Sequence, residues 1–541
     1  MGEIVTTVYE AFCKSARDYA DNAFLCAPAY EGRAYHPDGI EFTYAEAQAE
    51  VERLKEIYAR SGFGHGHRVA YLMENRPEYL FHMLAANALG VSVVPINPDY
   101  LHDEMLYQMD HSEADIVVTI KSRFDDICAV AEARAKALPV VVAEDLPEFL
   151  PDPGPQPKSG APGLLSEVSL LYTSGTTGRP KGCILTNDYY LLAGETYVSM
   201  GGHVTMEQGK ERLYNPLPLF HMNASAVSFM AMLLTGGCLI VPDRFHPKTW
   251  WQELVDTRAT IIHYLGVVPP MLLNQPKSEL ETRHNVKFGA GAGVEPALHE
   301  VFEKRYGFPL IELWGMTETG RLFGDSIEPR QIHTRAFGHH IRAGMEARIV
   351  DEHDNEVPRG VEGEMLVRDT GDNPRRGFFA GYLKNPEATE EAWKGGWFHT
   401  GDTVRMDETG MLYFVDRKKN IIRRSGENIA AAEVEAVLQT HDDVASIAVI
   451  AVKDDLREEE VMACIVLMEG VEKSAATAEA LFDYANGRLA YFKTPGWILF
   501  RDSLPTTGTQ KIQKTQIFKK DADPREEAGI HDFRSKKKKT K

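Results

Sequence analysis

The run Tyr172–Gly182, YTSGTTGRPKG, gathers three glycines, four Ser/Thr hydroxyls and one lysine into eleven residues. Glycines let backbone N–H groups approach phosphate oxygens, hydroxyls add donors and Lys181 adds a positive charge, so the run suits a polyphosphate. It is not a Walker A loop, because Lys181 follows Pro180 and precedes Gly182 instead of sitting in Gly-Lys-[Ser/Thr]. A second glycine run, GAGAGV (289–294), follows the strand-like VKF but has Val294 where a dinucleotide fingerprint needs its third glycine. Gly-x-Ser-x-Gly, His-Glu-x-x-His and EF-hand patterns are absent, which leaves hydrolase and metalloprotease chemistry without specific support.

The elements that must position these residues alternate. TYAEAQAEVERLKEIYARSG is followed by HRVAYLM, and PEYLFHMLAANALG by VSVVPIN, a rhythm of βα units around largely parallel sheets over residues 40–330. SLLYTS (169–174) predicts a strand entering the phosphate-type loop, and a helix is predicted from near Asn187. PDPGPQPKSGAPG (151–163) reads as a surface connection. After about residue 335, EARIVD, GEMLVRD and MLYFVD predict a smaller β-rich subdomain. Beyond Asp416 come the helix AAEVEAVLQTH, strands ASIAVIAV and VMACIVLM, the helix AEALFDYANGRLA and a last strand GWILF, enough for a compact α+β domain of roughly a hundred residues. The end, RSKKKKTK (534–541), reads as a solvated, mobile basic tail. The fold class is therefore α/β, with a large N-terminal domain of layered sheets plus a β-rich subdomain and a small α+β C-terminal domain.

The chain has 541 residues, 43% hydrophobic and 26% charged, which supports a buried core and more than one domain. Its net charge of −20 argues against a broad grip on nucleic acid. Six scattered cysteines without a CxxC pair suggest neither a disulfide framework nor a cysteine zinc site, and a cytoplasmic setting fits. The N-terminus shows no charged leader ahead of an apolar run, so the mature chain is expected to be the whole chain. The long uncharged run Met222–Pro242 is divided by Gly236-Gly237 and reads as a buried helix turning into a buried strand, not as a membrane span.

Beyond the phosphate-type loop, PLFHM (218–222), GAGAGV (289–294), WGMTE (314–318), TGD (400–402), DRKKNIIRRSGENI (416–429), YFKTP (491–495) and LPTTGTQKIQK (504–514) follow in order. In these eight motifs, from about residue 40 to 520, the chain resembles the adenylate-forming superfamily of acyl-CoA synthetases, peptide adenylation domains and firefly luciferase. The DRKKNIIRRSGEN run, the AAAEVE that follows it and FHMNASA look most like acyl-CoA ligases of the carnitine-CoA ligase type.

The resemblance implies an ATP- and acyl-binding domain over 1–416, a hinge at 417–420, a mobile domain over 421–530 and a tail over 531–541. It makes Thr173, Ser174, Gly175, Thr176, Thr177, Gly178 and Lys181 the loop around the β and γ phosphates of ATP. Glu318 would hold Mg²⁺, a hard cation suited to a carboxylate plus phosphate oxygens. Thr317 would contact the α-phosphate and Trp314, where tyrosine is commoner, would stack on adenine beside Gly289, Ala290 and Gly291. Asp402 and Arg417 would meet the ribose. Lys511 would be the catalytic lysine, an ammonium between carboxylate and phosphate in the crowded first step. Lys419 would be the hinge pivot, and Ser425, Gly426 and Glu427 would line a tunnel for the CoA thiol after rotation. His221, in a catalytic or gating role, would line the acyl pocket with Asn223, Ala224, Ser225, Val294, Met316 and Arg321, a mixed polar and small set that leans toward a short or medium polar acid.

The expected function is an ATP-dependent acyl-CoA ligase that forms acyl-AMP with release of pyrophosphate, then transfers the acyl group to CoA. The alternatives are another acceptor, such as a carrier-protein thiol, or a nucleotide-binding homologue without turnover. Expected partners are the acid, ATP and CoA, without nucleic acid or a membrane span, and a homodimer is compatible with this reading.

Overall fold

The computed structural model describes residues 4–537 except 101, 135, 137, 174–179, 343, 418–419, 425–426, 455–456, 490, 507–511 and 520–521. The chain forms two compact units, Met1–Ala347 with Val367–Phe398, and Arg348–Leu366 with His399–Lys541. Compactness thus joins residues 399–416 to the C-terminal part, whereas the expected boundary at 417–420 concerns rotation, a different property.

Two sheets build the first unit. In the eight-stranded sheet, Phe288–Ala292 lies parallel between Ile261–Leu265 and Leu310–Trp314. In the seven-stranded sheet, Arg68–Leu72 lies parallel to both Ser92–Pro95 and Ile116–Thr119. Ile116–Thr119, IVVT, is buried throughout, as expected of a central parallel strand with both faces covered. Helix Tyr44–Arg60 begins with a capping box from Thr43 and Glu46, the paired bonds that satisfy otherwise orphaned N–H groups.

The expected strand before the phosphate-type loop is Glu167–Thr173. It pairs antiparallel with Lys181–Thr186, setting Thr173 opposite Lys181. Helix Asn187–Val198 follows, with the Thr186 hydroxyl accepting from the Tyr189 N–H. The uncharged run after Met222 folds as a π-helix Asn223–Ser228, a helix Phe229–Thr235 and a strand Cys238–Ile240. Gly236 ends the helix in the left-handed region at φ 66°. Among the described residues, no helix is long and apolar enough to cross a membrane.

In the second unit, Phe398–Met406 pairs antiparallel with Met411–Arg417. A separate sheet combines the hairpin Ile421–Arg424 and Glu427–Ala430 with Val444–Asp454, Glu458–Leu467, Trp497–Phe500 and Ile530–Asp532. Strand Glu458–Leu467 is buried on both faces. Val461, Ala463 and Ile465 join the cluster under helices Ala431–Gln439 and Ala475–Asn486, while Met462 and Cys464 pack with Trp497, Leu499 and Ile517.

Two expectations are corrected here. GWILF is not the last strand, because Ile530–Asp532 adds to its edge. The solvated, mobile tail expected over 534–541 is corrected as far as residue 537: Phe533, just before it, stacks on Phe482 in the core and the Lys537 side chain is fully buried, since these side chains find partners inside the domain.

Candidate active site

Strand Leu310–Trp314 leaves the eight-stranded sheet into the turn that carries Thr317 and Glu318. The Thr319 hydroxyl, fully buried, locks that turn: it accepts from the Met316 N–H at 3.2 Å and lies 3.0 Å from the Met316 carbonyl. Gly381–Tyr382 pairs with Lys181–Thr186 at the edge of the other sheet, with Tyr382 opposite Cys183. The Tyr382 hydroxyl donates to Glu318 Oε1 at 2.9 Å, and the Lys181 ammonium stands 4.7 Å from the Tyr382 ring centre. The Phe379 N–H closes the arrangement on the Glu318 carbonyl at 2.9 Å.

Tyr382 thus joins the predicted lysine to the predicted carboxylate. Burial, then the charge of Glu318, push its phenol upward in pKa, so it stays a donor at neutral pH. A cation over an accessible tyrosine contributes about 0.5–1 kcal/mol, enough to orient Lys181 but little against a phosphate. Sequence reasoning missed this tyrosine; its signal was the Gly-Tyr pair in FFAGYLKNPEAT. Glu318 is 7% exposed, and the donor set suits a magnesium ion carried on nucleotide phosphates. Among the described residues, no group of three or more His, Cys, Asp or Glu forms a cage that could hold a metal by itself.

Asp402 and Arg417, fifteen positions apart in sequence, are cross-strand partners in the second unit. Arg417 Nε lies 2.8 Å from Asp402 Oδ1, and Asp402 is 1% exposed. Gly401 lies within the strand Phe398–Met406 at φ 67°, in the left-handed region, and the Thr400 hydroxyl accepts from the Asp402 N–H at 3.1 Å. Asp416 is another residue that sequence reasoning left without a role. It accepts from the Arg417 N–H at 2.6 Å, from Asn420 Nδ2 at 3.1 Å and from the Ala432 N–H at 2.8 Å, tying the first and last residues of the expected hinge to a helix N-terminus.

Several expected residues take other places. Gly289, Ala290 and Gly291 are buried inside the sheet, and a Cβ on Gly291 would lie 2.3 Å from the Tyr264 carbonyl oxygen. These glycines answer close strand packing, and the stretch open to a ligand begins at Ala292 and Gly293. Glu312 holds that stretch, accepting from the Gly293 N–H at 2.8 Å and the Val294 N–H at 3.2 Å. Burial raises Glu312 to about 7, opposed by nearby His299 and by these hydrogen bonds.

Val294 itself belongs to the core. Trp314 is 6% exposed and lies against Phe323 and, stacked at 6.1 Å, Phe337, which gives it a packing role. Arg321 is corrected as a pocket residue: its guanidinium donates to Asp369 at 2.6 Å and to the Arg376 carbonyl at 2.7 Å, both inside the fold. Breaking such a buried pair costs about 3–5 kcal/mol.

Ala224 and Ser225 are buried in the π-helix, His221 and Met316 are half-buried, and the Ser225 hydroxyl donates to the His221 carbonyl at 3.0 Å. Asn223 sits on a buried network. Its Oδ1 lies 2.9 Å from Asn215 Nδ2 and 2.8 Å from His263 Nδ1, while the Tyr197 hydroxyl reaches His263 Nε2 at 2.8 Å. Burial lowers His263 to about 3, so the ring is neutral: Nδ1–H donates to Asn223 and Nε2 accepts from Tyr197.

Ser174, Gly175, Thr176, Thr177, Gly178, Lys419, Ser425, Gly426 and Lys511 lie outside the described residues, as does the side chain of Glu427. The segments flanking Lys511 are held: Thr506 and Ile512 form a β-bridge, the Gln513 N–H donates to the Pro505 carbonyl and Lys514 pairs with Glu435 at 2.8 Å.

Comparison with known proteins fits this geometry. The AMP-binding enzyme family matches residues 14–383, and the AMP-binding enzyme C-terminal domain matches residues 433–511. The chain belongs to this family of adenylate-forming enzymes. It is 30% identical over 502 residues to the crotonobetaine/carnitine-CoA ligase of Citrobacter koseri, covering 88% of this chain and 93% of the relative. The enzyme of the same name from Escherichia coli strain SE11 is also 30% identical, with the same coverage. ATP-bound MatB from Rhodopseudomonas palustris superposes with a TM-score of 0.79 at 26% identity, over 94% of this chain and 97% of that one. An o-succinylbenzoate-CoA synthetase from Bacillus subtilis, in complex with its acyl-adenylate, shares the fold with a TM-score of 0.80 at 24% identity, over 95% and 98%. Membership places the chain among AMP-forming acid–thiol ligases, with ATP, magnesium and CoA as the reagents of the family.

Proposed function

We propose that this ligase activates a short or medium polar carboxylic acid in the large unit and passes it to CoA after a rotation about residues 417–420. In the first step a carboxylate oxygen bonds to the α-phosphorus of ATP and pyrophosphate leaves. In the second the CoA sulfur bonds to the acyl carbon, AMP leaves and the thiol proton is released. Forming the mixed anhydride first converts a poor leaving group into a good one.

The observation that carries this reading is the Lys181–Tyr382–Glu318 arrangement, which sets a cation beside a buried carboxylate at the edge of the glycine-rich hairpin. In the proposal Lys181 and residues 173–178 hold the β and γ phosphates, and Thr317 meets the α-phosphate. Glu318, steadied by Tyr382, would ligate magnesium, which supplies charge neutralisation across the phosphates. Asp402 accepts from the ribose hydroxyls with Arg417 beside it, and adenine lies along Ala292–Gly293. Lys511 completes the first step, Lys419 is the pivot, and Ser425, Gly426 and Glu427 line the thiol path. His221 stands by the acid's carboxylate.

For the acid, two observations narrow the class. Asn215 and His263 occupy the Asn223 oxygen, and in the proposal its amide NH2 is the end that donates to a hydrogen-bond acceptor on the acyl chain. The Arg321 guanidinium, already engaged by Asp369, does not supply a counter-charge for a second carboxylate. The names of the relatives put crotonobetaine and carnitine first in a screen. A cytoplasmic enzyme, as a homodimer to be checked by light scattering, completes the proposal.

The test is an acid panel, from crotonobetaine and carnitine to palmitate, assayed for pyrophosphate and AMP with and without CoA. Thioester from short polar acids and none from palmitate is expected. Acid-dependent pyrophosphate without transfer to CoA would move the acceptor to a carrier-protein thiol, and binding of ATP without turnover on any acid would overturn the ligase reading for this chain.

A further inference from the structure

The family match ends at residue 511, and the chain remains folded beyond it. Ile530–Asp532 pairs with Trp497–Phe500, the Phe533 N–H donates to the Gly496 carbonyl at 2.8 Å, and the Phe533 ring lies 4.8 Å from that of Phe482. Arg534 pairs with Asp454 at 2.9 Å and lies over the Trp497 ring. The segment then turns inward. Lys537 donates from Nζ to Glu460 Oε1 and, at 3.1 Å, to the Phe492 carbonyl in the YFKTP run. The other Glu460 oxygen accepts from Arg424 Nε at 2.8 Å. The Lys537 and Glu460 side chains are fully buried and that of Arg424 is 2% exposed.

One carboxylate therefore serves two buried cations. Arg424 and Glu460 already balance each other, so a third desolvated charge adds cost unless it fastens something. Burial draws the Lys537 ammonium down to about 8, a measure of that cost. What it fastens is visible in the strands. Arg424 is the last residue of Ile421–Arg424, pairs across the hairpin with Glu427 and lies opposite Glu458 in the next strand. In sequence, Ser425 and Gly426 directly follow Arg424 and precede Glu427. Gly496 makes the close placement possible, since a Cβ there would meet the Glu460 side chain at 2.5 Å.

We propose that the C-terminal segment 530–537 is a positioning strap for the thiol-path hairpin: Lys537, through Glu460, holds Arg424 and with it the residues that receive CoA. This deepens the function proposed above and rests on the reading that residues 425–427 line the thiol path. Lys537 touches no substrate in this account; it acts through Arg424, and only in the second half-reaction.

The test uses the full-length chain as Lys537→Met, which keeps the length of the side chain and removes the charge. Acid-dependent pyrophosphate release and thioester formation from supplied acyl-AMP are measured separately, with CoA varied. We expect adenylation within twofold of the wild type. Acyl transfer should fall about tenfold in kcat/KM for CoA, the scale of one charged hydrogen bond, with faster amide exchange over residues 421–424. Equal losses in both steps, or none in either, overturn the strap. Should Lys537→Met fail to fold, Lys537→Arg carries the same comparison, because its longer, planar head displaces Arg424 without removing charge. Gly426→Trp is run in parallel. If it leaves acyl transfer intact, the thiol-path reading fails and the strap with it; if it blocks transfer while Lys537→Met does not impair it, the strap alone fails.

Discussion

The two units hold their functional residues in different ways. In the first, Lys181, Tyr382 and Glu318 hang from the edges and ends of two sheets, with a hydrogen bond from Tyr382 to Glu318 and a contact of Lys181 with the Tyr382 ring. In the second, the buried Asp416 and Glu460 and the half-buried Glu435 each tie down a cation or a helix end from another part of the chain. A group that meets phosphate directly gains from being lightly held, because the ligand must displace its partner. A group that must keep its place while a domain rotates gains from a buried ion pair, which is expensive to break.

Several variants break or sharpen that contrast. The largest effect is expected from Lys511→Ala, which should lower acid-dependent pyrophosphate release by about 10²–10³-fold, the scale of a preorganised charge at a transition state. Thioester formation from supplied acyl-AMP should be largely spared; equal loss in the two steps contradicts the assignment. Next, Glu318→Gln should cost adenylation on the order of 10²-fold, with weaker dependence on magnesium concentration. Tyr382→Phe, removing one hydrogen bond to that carboxylate, should cost only about tenfold. If Tyr382→Phe matches Glu318→Gln, the tyrosine does more than orient.

The smallest effect is a pH signature. Glu312, raised from 4.5 to about 7 chiefly by burial, keeps a proton in the folded state that the unfolded chain gives up above 4.5. Its contribution is full below the unfolded value and is lost as pH rises through about 7, so Tm of the first unit should fall between pH 5 and pH 8. Glu312→Gln, which keeps the shape and the acceptor, should flatten that slope; an unchanged slope removes Glu312 from the account. Lys537 has the opposite sign. Its folded value of about 8 lies below the unfolded 10.5, so docking of the tail beside Glu460, Arg424 and nearby Arg457 should strengthen as pH rises across that window, because the neutral amine still donates to Glu460 and to the Phe492 carbonyl, bonds that the Lys537→Met side chain cannot make. Protease clipping of the tail at pH 7.5 and 9.5 reads this directly.

Much of the first unit was legible because its chemistry is local. The helix at Asn187, the strand entering the phosphate-type loop and the division of Met222–Pro242 at its glycines all follow from short-range patterns. Glycine was the ambiguous letter. GAGAGV reads as a ligand-facing run, yet Gly289 and Gly291 answer the crowding of Tyr264 and Leu310, contacts that lie 27 and 21 positions away. Arg321 misled in the same way, since nothing near it in sequence shows that Asp369 claims its guanidinium.

By itself the sequence determined the kind of chemistry, the order of its motifs and the alternation of strands and helices, because these depend on residue type and on spacing within a few turns of chain. Only tertiary structure decided that Tyr382 bridges Lys181 and Glu318, that Asp416 holds a helix end and that Lys537 is buried. Each of those depends on which distant charge or hydroxyl arrives within hydrogen-bonding distance, and burial then sets how strongly the pair is held.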